Sequence, residues 1–318
     1  MTSQLAPAQP GVSNEPPTTR ERSRRRRKRT RISAAGVVRL LLLFGFAVFC
    51  LVPLVWLLFA PTKTNAEMAT GNPLSFGSIQ TALLAWQHLV QYNGGVVYAW
   101  MANSVFYSVG SVVLSVAVAV PAAYALATMR FAGRKLILTL TLVAMVVPAT
   151  AVVLPLFLEL NAVHLTNTAA SVILPAAFYP FGVYLAYVYF ATSLPRELLE
   201  AARIDGCGEV RVFLHTALPL AKPIIAILVF FSFVANWSNY FLPFVMLSDT
   251  GLYNLPVGLG NLISGTGALN PAMGATDLPI HYPEAALAGL IVVVPVAILF
   301  IAFQRFLIRG LLSGSVKS

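Results

Sequence analysis

The residues able to do chemistry fall into two short clusters. In residues 191–222, Glu197, Glu200 and Asp205 stand among Arg196, Arg203, Arg211 and Lys222, with the small pair Ala201-Ala202 between them. Small side chains leave a backbone open to close approach, so this segment suits contact with another protein. In the second cluster, Asn236-Trp237-Ser238-Asn239-Tyr240 interrupts an apolar run with amides, a hydroxyl and aromatic faces. That combination suits hydrogen bonding rather than catalysis. Elsewhere His88, His164, His215 and His281 lack metal-ligand spacing, so no metal site is expected and each reads as solvated or interfacial. Two cysteines, Cys50 and Cys207, exclude a disulfide framework and a cysteine-based zinc site. No Ser/His/Asp or paired-carboxylate set can be assembled, and no cofactor is implied.

The elements that must position these clusters are membrane helices. Of 318 residues, 58% are apolar and only 10% charged, which excludes an ordinary soluble enzyme, whose charged share is about 25%. Six continuous apolar stretches reach the roughly 20 residues that a helix needs to cross a bilayer. They lie at about 37–60, 103–128, 136–158, 169–190, 223–247 and 285–308. The runs do not alternate, so a β-barrel is excluded. The expectation is an all-α integral membrane protein with six transmembrane helices.

Charge sets the orientation. Of 21 Lys and Arg, only Lys63 falls in the segments assigned to the outside; the positive-inside rule then puts both termini in the cytoplasm. Residues 1–36, rich in Pro, Ser, Thr and Arg, are expected to be a disordered cytoplasmic tail, with 37–318 as the transmembrane domain. The run Arg24–Arg31 reads as a topology anchor that also attracts anionic lipid, against a nucleic-acid patch or a targeting signal. The first outward segment, 61–102, carries an amphipathic stretch near 79–92, expected to lie as an interfacial helix. The last, about 248–284, is glycine-rich and free of Lys and Arg, and is expected to be a flexible binding loop.

Within 191–222, Ser193 and Pro195 provide a helix start, and Glu197 and Glu200 favour its positive N-terminal end. Gly206 offers a left-handed C-cap after Asp205. A second helical pattern runs through Val210, Phe213 and Leu214 and is closed by Leu218-Pro219 and Pro223. The segment is therefore expected to form a helix–turn–helix at the cytoplasmic membrane surface.

Glu200-Ala201-Ala202, three residues, Gly206 and then Leu218-Pro219 resembles the signature loop of ABC-importer permeases. Asp205 and Leu218-Pro219-Leu220-Ala221-Lys222-Pro223 look like its carbohydrate branch, the MalG-type subunit, with Thr216 where Ile is usual. The resemblance extends over about 98–318, with a core of about 98–309. It runs through Asn103-Ser104, Ala123-Tyr124-Ala125-Leu126, Phe131, Gly133-Arg134, Pro148, Pro155-Leu156, Asn167-Thr168, Leu255-Pro256-Val257-Gly258-Leu259 and Gln304-Arg305 to Val316-Lys317. It implies the type I (MetI-like) permease fold and a transport subunit with no enzymatic activity of its own. It also implies as partners a second, MalF-type permease subunit, two ATP-binding cassette ATPase subunits and an extracytoplasmic solute-binding protein. Glu200, Ala201, Ala202, Asp205, Gly206, Leu218 and Pro219 would couple to the ATPase. The chain has no Gly-rich Lys-Ser/Thr phosphate loop with which to hydrolyse ATP.

A sugar or oligosaccharide is the implied cargo, and a non-sugar solute such as glycerol phosphate or a polyol is the alternative. Sugar recognition requires hydrogen-bonding groups beside aromatic faces. Asn236, Asn239 and Tyr240 are therefore candidates for the pathway, against a role in interhelical hydrogen bonds with the partner subunit. A proton-coupled carrier or membrane enzyme would need ionisable groups deep in the spans, and the six stretches hold none away from their ends.

Overall fold

In the computed structural model, the backbone of residues 34–266 and 280–313 is described, with side chains over 36–266 and 280–306. The Arg-rich run at 24–31, two glycines of the last outward segment (267 and 274) and the side chains from Gly310 to Lys317 lie outside the described residues. All regular structure among the described residues is helical. Four helical stretches are long and apolar enough to span a membrane: Gly36–Thr62, Ile79–Thr128, Ala169–Thr192 and Tyr282–Phe306. Two sharply bent pairs, Arg134–Val146 with Ala149–Ala162 and Glu209–Leu220 with Lys222–Trp237, bring the total to six if each pair is one span.

The chain divides into two units, Met1–Pro53 and Leu54–Ser318. The described part of the first belongs to helix α1 (Ala34–Phe59), and every side chain from Val37 to Pro53 is exposed. A helix apolar all round is shaped for hydrocarbon.

The second unit opens with a tight structure rather than a loose loop. A 3-10 turn (Ala60–Thr62) leads to α2 (Asn65–Thr70), whose start is a capping box between Thr64 and Glu67. Lys63 is buried, and its ammonium donates to the carbonyls of Asn72 (2.6 Å) and Pro73 (2.8 Å). A buried charge needs such partners, so the one cation in the segments that the charge pattern assigns to the outside is spent inside the fold. Helix α3 (Ile79–Gln91) is the expected amphipathic element, burying Ala85 and Leu89. Asn93, Gly94 and Gly95, with φ of 44°, 69° and 90°, turn the chain into α4 (Val96–Thr128), which begins seven residues before the stretch at 103.

Helix α4 is the central post. It packs along α8 (Pro180–Thr192) and α12 (Lys222–Trp237). Ser104, Ser108, Ser111 and Ser115 are buried along one face of it, and Ser115 shares a 2.7 Å hydrogen bond with Ser232 of α12. Small residues let helix backbones approach closely where lipid offers no hydrophobic drive to associate. Between α4 and α8 lie α5 (Arg134–Val146), α6 (Ala149–Ala162) and the short α7 (Ala169–Ile173). Helices α5 and α6 meet at 106°. Val147, in the extended conformation that proline favours in the residue before it, and Pro148, which cannot donate to the previous turn, make this break. Pro121, Pro155 and Pro295 sit inside continuous helices instead.

In its described residues, the segment at 248–284 departs from the flexible loop that its glycines suggest. Helix α14 (Leu255–Ser264) is capped by Asn254. Gly258 is buried where a Cβ would fall inside the indole of Trp100, and a Cβ on Gly260 would press on the Tyr240 ring. These glycines serve close packing, a use that composition alone does not separate from flexibility. The stretch before this helix is fastened to α4: Trp100 Nε1 donates to Thr250 O (2.7 Å), Asn103 to Gly251 O (2.8 Å) and Tyr107 to Leu252 O (2.8 Å).

Candidate functional site

The hairpin at 196–220 takes its shape from three local rules. Its first helix, α9 (Arg196–Ile204), starts directly after Pro195, with Glu197 in its first turn and no side-chain cap. The helix ends in a Schellman motif, in which Cys207 N–H donates to Ala202 O and Gly206 N–H to Arg203 O, each at 3.0 Å. Gly206 has φ +82°, the left-handed conformation that this motif requires. The return arm is α10 (Glu209–Val212), a wide π turn (Phe213–Ala217) and α11 (Leu218–Leu220). In the π turn Leu218 N–H reaches back five residues to Phe213 O. Pro219 would clash with the fourth carbonyl back, and the wider turn relieves that. Leu218-Pro219 therefore shapes the return arm from within rather than closing it. The closure comes at Ala221, where α12 departs at 78°.

Underneath, the hairpin is part of a core. Leu199, Val212, Ala217 and Ala221 pack with Val120, Ala123 and Tyr124 of α4, Ala186 and Phe190 of α8, and Ile224 and Leu228 of α12. Tyr189 adds a 2.7 Å hydrogen bond to Leu220 O. On the outer edge Glu200, Ala201, Asp205, Gly206 and Pro219 are exposed, with Ala202 and Leu218 half-buried. Ile204 (86% exposed) and Val210 (73%) stand out of the same edge.

Arg203 and Glu209 face each other across the Gly206 turn. The guanidinium donates through Nε to Oε1 (2.7 Å) and through a terminal nitrogen to Oε2 (3.2 Å). Tyr124 of α4 donates to the same Oε2 at 3.4 Å. The Arg203 hydrogen bond holds the Glu209 carboxyl below its ordinary range, and the same bond holds the guanidinium further up. Sequence reasoning did not find Glu209; the signal was a cation and an anion placed symmetrically about a helix-ending glycine.

The second cluster is spread apart. Asn236 donates to Ser232 O (2.8 Å) and Ser232 Oγ (3.3 Å), joining the seam between α4 and α12. Asn239 is half-buried and lines a cavity of about 610 Å³ with Val147, Thr150, Val153, Phe178 and Phe241. Its carbonyl accepts from Asn254 (2.7 Å). Tyr240 is exposed and stacks on Phe244 of α13 (Phe241–Met246), ring centres 5.3 Å apart. The histidines are also sorted: His88 Nδ1 lies 2.8 Å from the buried Glu284 of α15 (Tyr282–Ser313), a long-range pair invisible to spacing rules. Among the described residues no cluster of His, Cys, Asp or Glu is arranged to hold a metal.

This arrangement has known counterparts. The model of the family described as "Binding-protein-dependent transport system inner membrane component" matches residues 115–313. The arabinooligosaccharides transport system permease protein AraQ of Halalkalibacterium halodurans is 34% identical over 281 residues, covering 87% of this chain and 96% of that one. The galactooligosaccharides transport system permease protein GanQ of Bacillus subtilis is 31% identical, covering 87% and 94%. Among solved structures, a bacterial ABC transporter involved in the import of the acidic polysaccharide alginate superimposes with a TM-score of 0.72 at 25% identity, over 88% of this chain and 98% of that one. The matched residues take in the hairpin, and family and fold agree: this chain belongs to the inner-membrane components of binding-protein-dependent transport systems.

Proposed function

We propose that this chain is the permease subunit of an ATP-driven importer, that it forms half of the translocation pathway for a sugar or oligosaccharide, and that the hairpin at 196–220 receives the driving force. The carrying observation is the division of that hairpin into two faces. Leu199, Val212 and Ala217 anchor it in the core, while Ile204 and Val210 stay in solvent beside Glu200 and Asp205. Exposed apolar residues with a polar rim mark a protein contact, and the partner is an ATPase subunit. Glu200, Ala201, Ala202, Asp205, Gly206, Leu218 and Pro219 form the coupling surface. The relatives named for arabino- and galacto-oligosaccharides support a carbohydrate cargo.

The hairpin and both termini lie in the cytoplasm, supported by the one-sided distribution of Lys and Arg. Closing of two ATPase subunits moves the docked hairpin and shifts the helix bundle between two packings. ATP hydrolysis belongs to those subunits; a MalF-type permease completes the pathway, and an extracytoplasmic binding protein delivers the solute. Asn239 and Tyr240, in the turn between α12 and α13, meet the solute directly, and Asn236 bonds within the last turns of α12 just before them.

The test is purification of the tagged chain with its neighbouring gene products, followed by uptake assays in proteoliposomes. An ATPase and a second permease should co-purify, and labelled arabino- or galacto-oligosaccharides should accumulate only with ATP and the binding protein. Uptake of glycerol phosphate or polyols with no oligosaccharide uptake would replace the cargo. Absence of any ATPase from the complex would reject the whole reading.

A further inference from the structure

We propose that Glu209, Arg203 and Tyr124 are positioning residues that pass hairpin movement into α4. This rests on the coupling reading above. Arg203 is in the last turn of α9 and Glu209 is the first residue of α10, so their paired hydrogen bonds close a ring across the Gly206 turn. The turn itself is held by two backbone hydrogen bonds and could open like a hinge. The side-chain ring fixes the angle between the two arms and makes the hairpin a lever.

Tyr124 supplies the joint. Its hydroxyl reaches Glu209, while its ring packs against Phe213 of the return arm (5.0 Å) and Phe190 of α8 (5.7 Å). One buried side chain thus touches the return arm at two points and α8 while belonging to α4, the helix along which α8 and α12 pack. A half-exposed ion pair adds little to stability. A planar guanidinium gripping both carboxylate oxygens does impose direction, and direction is what a lever must transmit.

The test uses the complete transporter in proteoliposomes, measuring solute moved per ATP hydrolysed. E209Q keeps the size of the side chain and removes its charge; Y124F keeps the ring and removes only the hydroxyl. With ATP hydrolysis maintained, each should lower solute moved per ATP, E209Q by about 10-fold and Y124F by about 3-fold, within the range that single residues exert on coupling. The exchange R203E/E209R rebuilds the pair and should recover most of the loss. Unchanged solute per ATP in E209Q and Y124F would overturn the proposal, as would a parallel fall of hydrolysis and uptake, which means docking alone was damaged. If E209Q fails to reach the membrane, Y124F decides by the same ratio. Failure of the parent reading is seen separately, as a wild-type chain that carries no ATPase.

Discussion

The two bent pairs differ in what surrounds the bend. At the 106° corner between α5 and α6, α5 buries nothing among its described residues and α6 buries only Val153. At the 78° corner before α12, Val212, Ala217, Ala221, Ile224 and Leu228 are all buried. Each corner has proline beside it, Pro148 at the first and Pro219 and Pro223 at the second. Proline therefore accounts for the break in the helix and says nothing of its rigidity. Packing decides that: the open corner borders a cavity, and the closed corner sits on the core. In a membrane the distinction is sharper than in water, because lipid replaces the apolar neighbours of the open corner at little cost.

The comparison can be broken most directly by deleting equal amounts of side chain at each corner. Leu228→Ala, fully buried beside the closed corner, should destabilise the purified protein by about 2 kcal/mol or more. Leu154→Ala, on the exposed side of α6, should cost less than about 0.5 kcal/mol. Thermal melting in detergent measures both, and equal losses would erase the contrast. Next, Gly206→Val places a β-branched residue at φ +82° and should cost about 1–2 kcal/mol through backbone strain, since a Cβ there meets no neighbour. Together with the charge reversal Glu200→Lys, it should leave a subunit that reaches the membrane yet hydrolyses ATP without uptake; intact transport in both variants would count against the lever.

A smaller effect sharpens the role of the open corner. Asn236→Ala should lower stability by about 0.5–1 kcal/mol by removing its hydrogen bonds to Ser232 within α12. Asn239→Ala should leave melting nearly unchanged and lower uptake, because its side chain borders the cavity. Unchanged transport in Asn239→Ala, with normal assembly, would remove the pathway from that cavity. The smallest effect concerns pH. The Glu209 carboxyl is held below its ordinary value, so its contribution is complete above the unfolded range, about 4.3. That contribution fades only as pH falls through the still lower folded value. From pH 8 to 5 the E209Q and parent proteins should keep a constant difference in melting temperature, which shrinks only in stronger acid.

Which parts could be read from residues alone follows from range. The helices were legible because hydrophobic runs are local, and the turn at Gly206 was legible because a helix end is a local event. The corner at Pro148 was not: residues 136–158 read as one continuous stretch, and a proline alone does not separate a corner from the helices that run on through Pro121, Pro155 and Pro295. The second corner falls on Ala221, an alanine with no conformational mark, and exists because the flanking prolines and the core meet there. The His88–Glu284 pair spans 196 positions, so no spacing rule could find it. Glu209 was passed over because a carboxylate in a polar loop looks solvated until Tyr124 arrives from a helix 85 positions away. The glycines at 258 and 260 were misread as freedom because their neighbours, Trp100 and Tyr240, are distant in the chain or on another helix.

The contact of Gly258 with Trp100 also constrains the order in which this protein can change. Any side chain at position 258 collides with the indole, so variation there is closed while the tryptophan remains. Removing the tryptophan first sacrifices its hydrogen bond to Thr250, which helps fasten the following segment to α4. Either first step is harmful, and a side chain at position 258 finds room only once the tryptophan has gone. Natural variants should therefore change both positions together or neither, and a library randomising position 258 alone should return glycine.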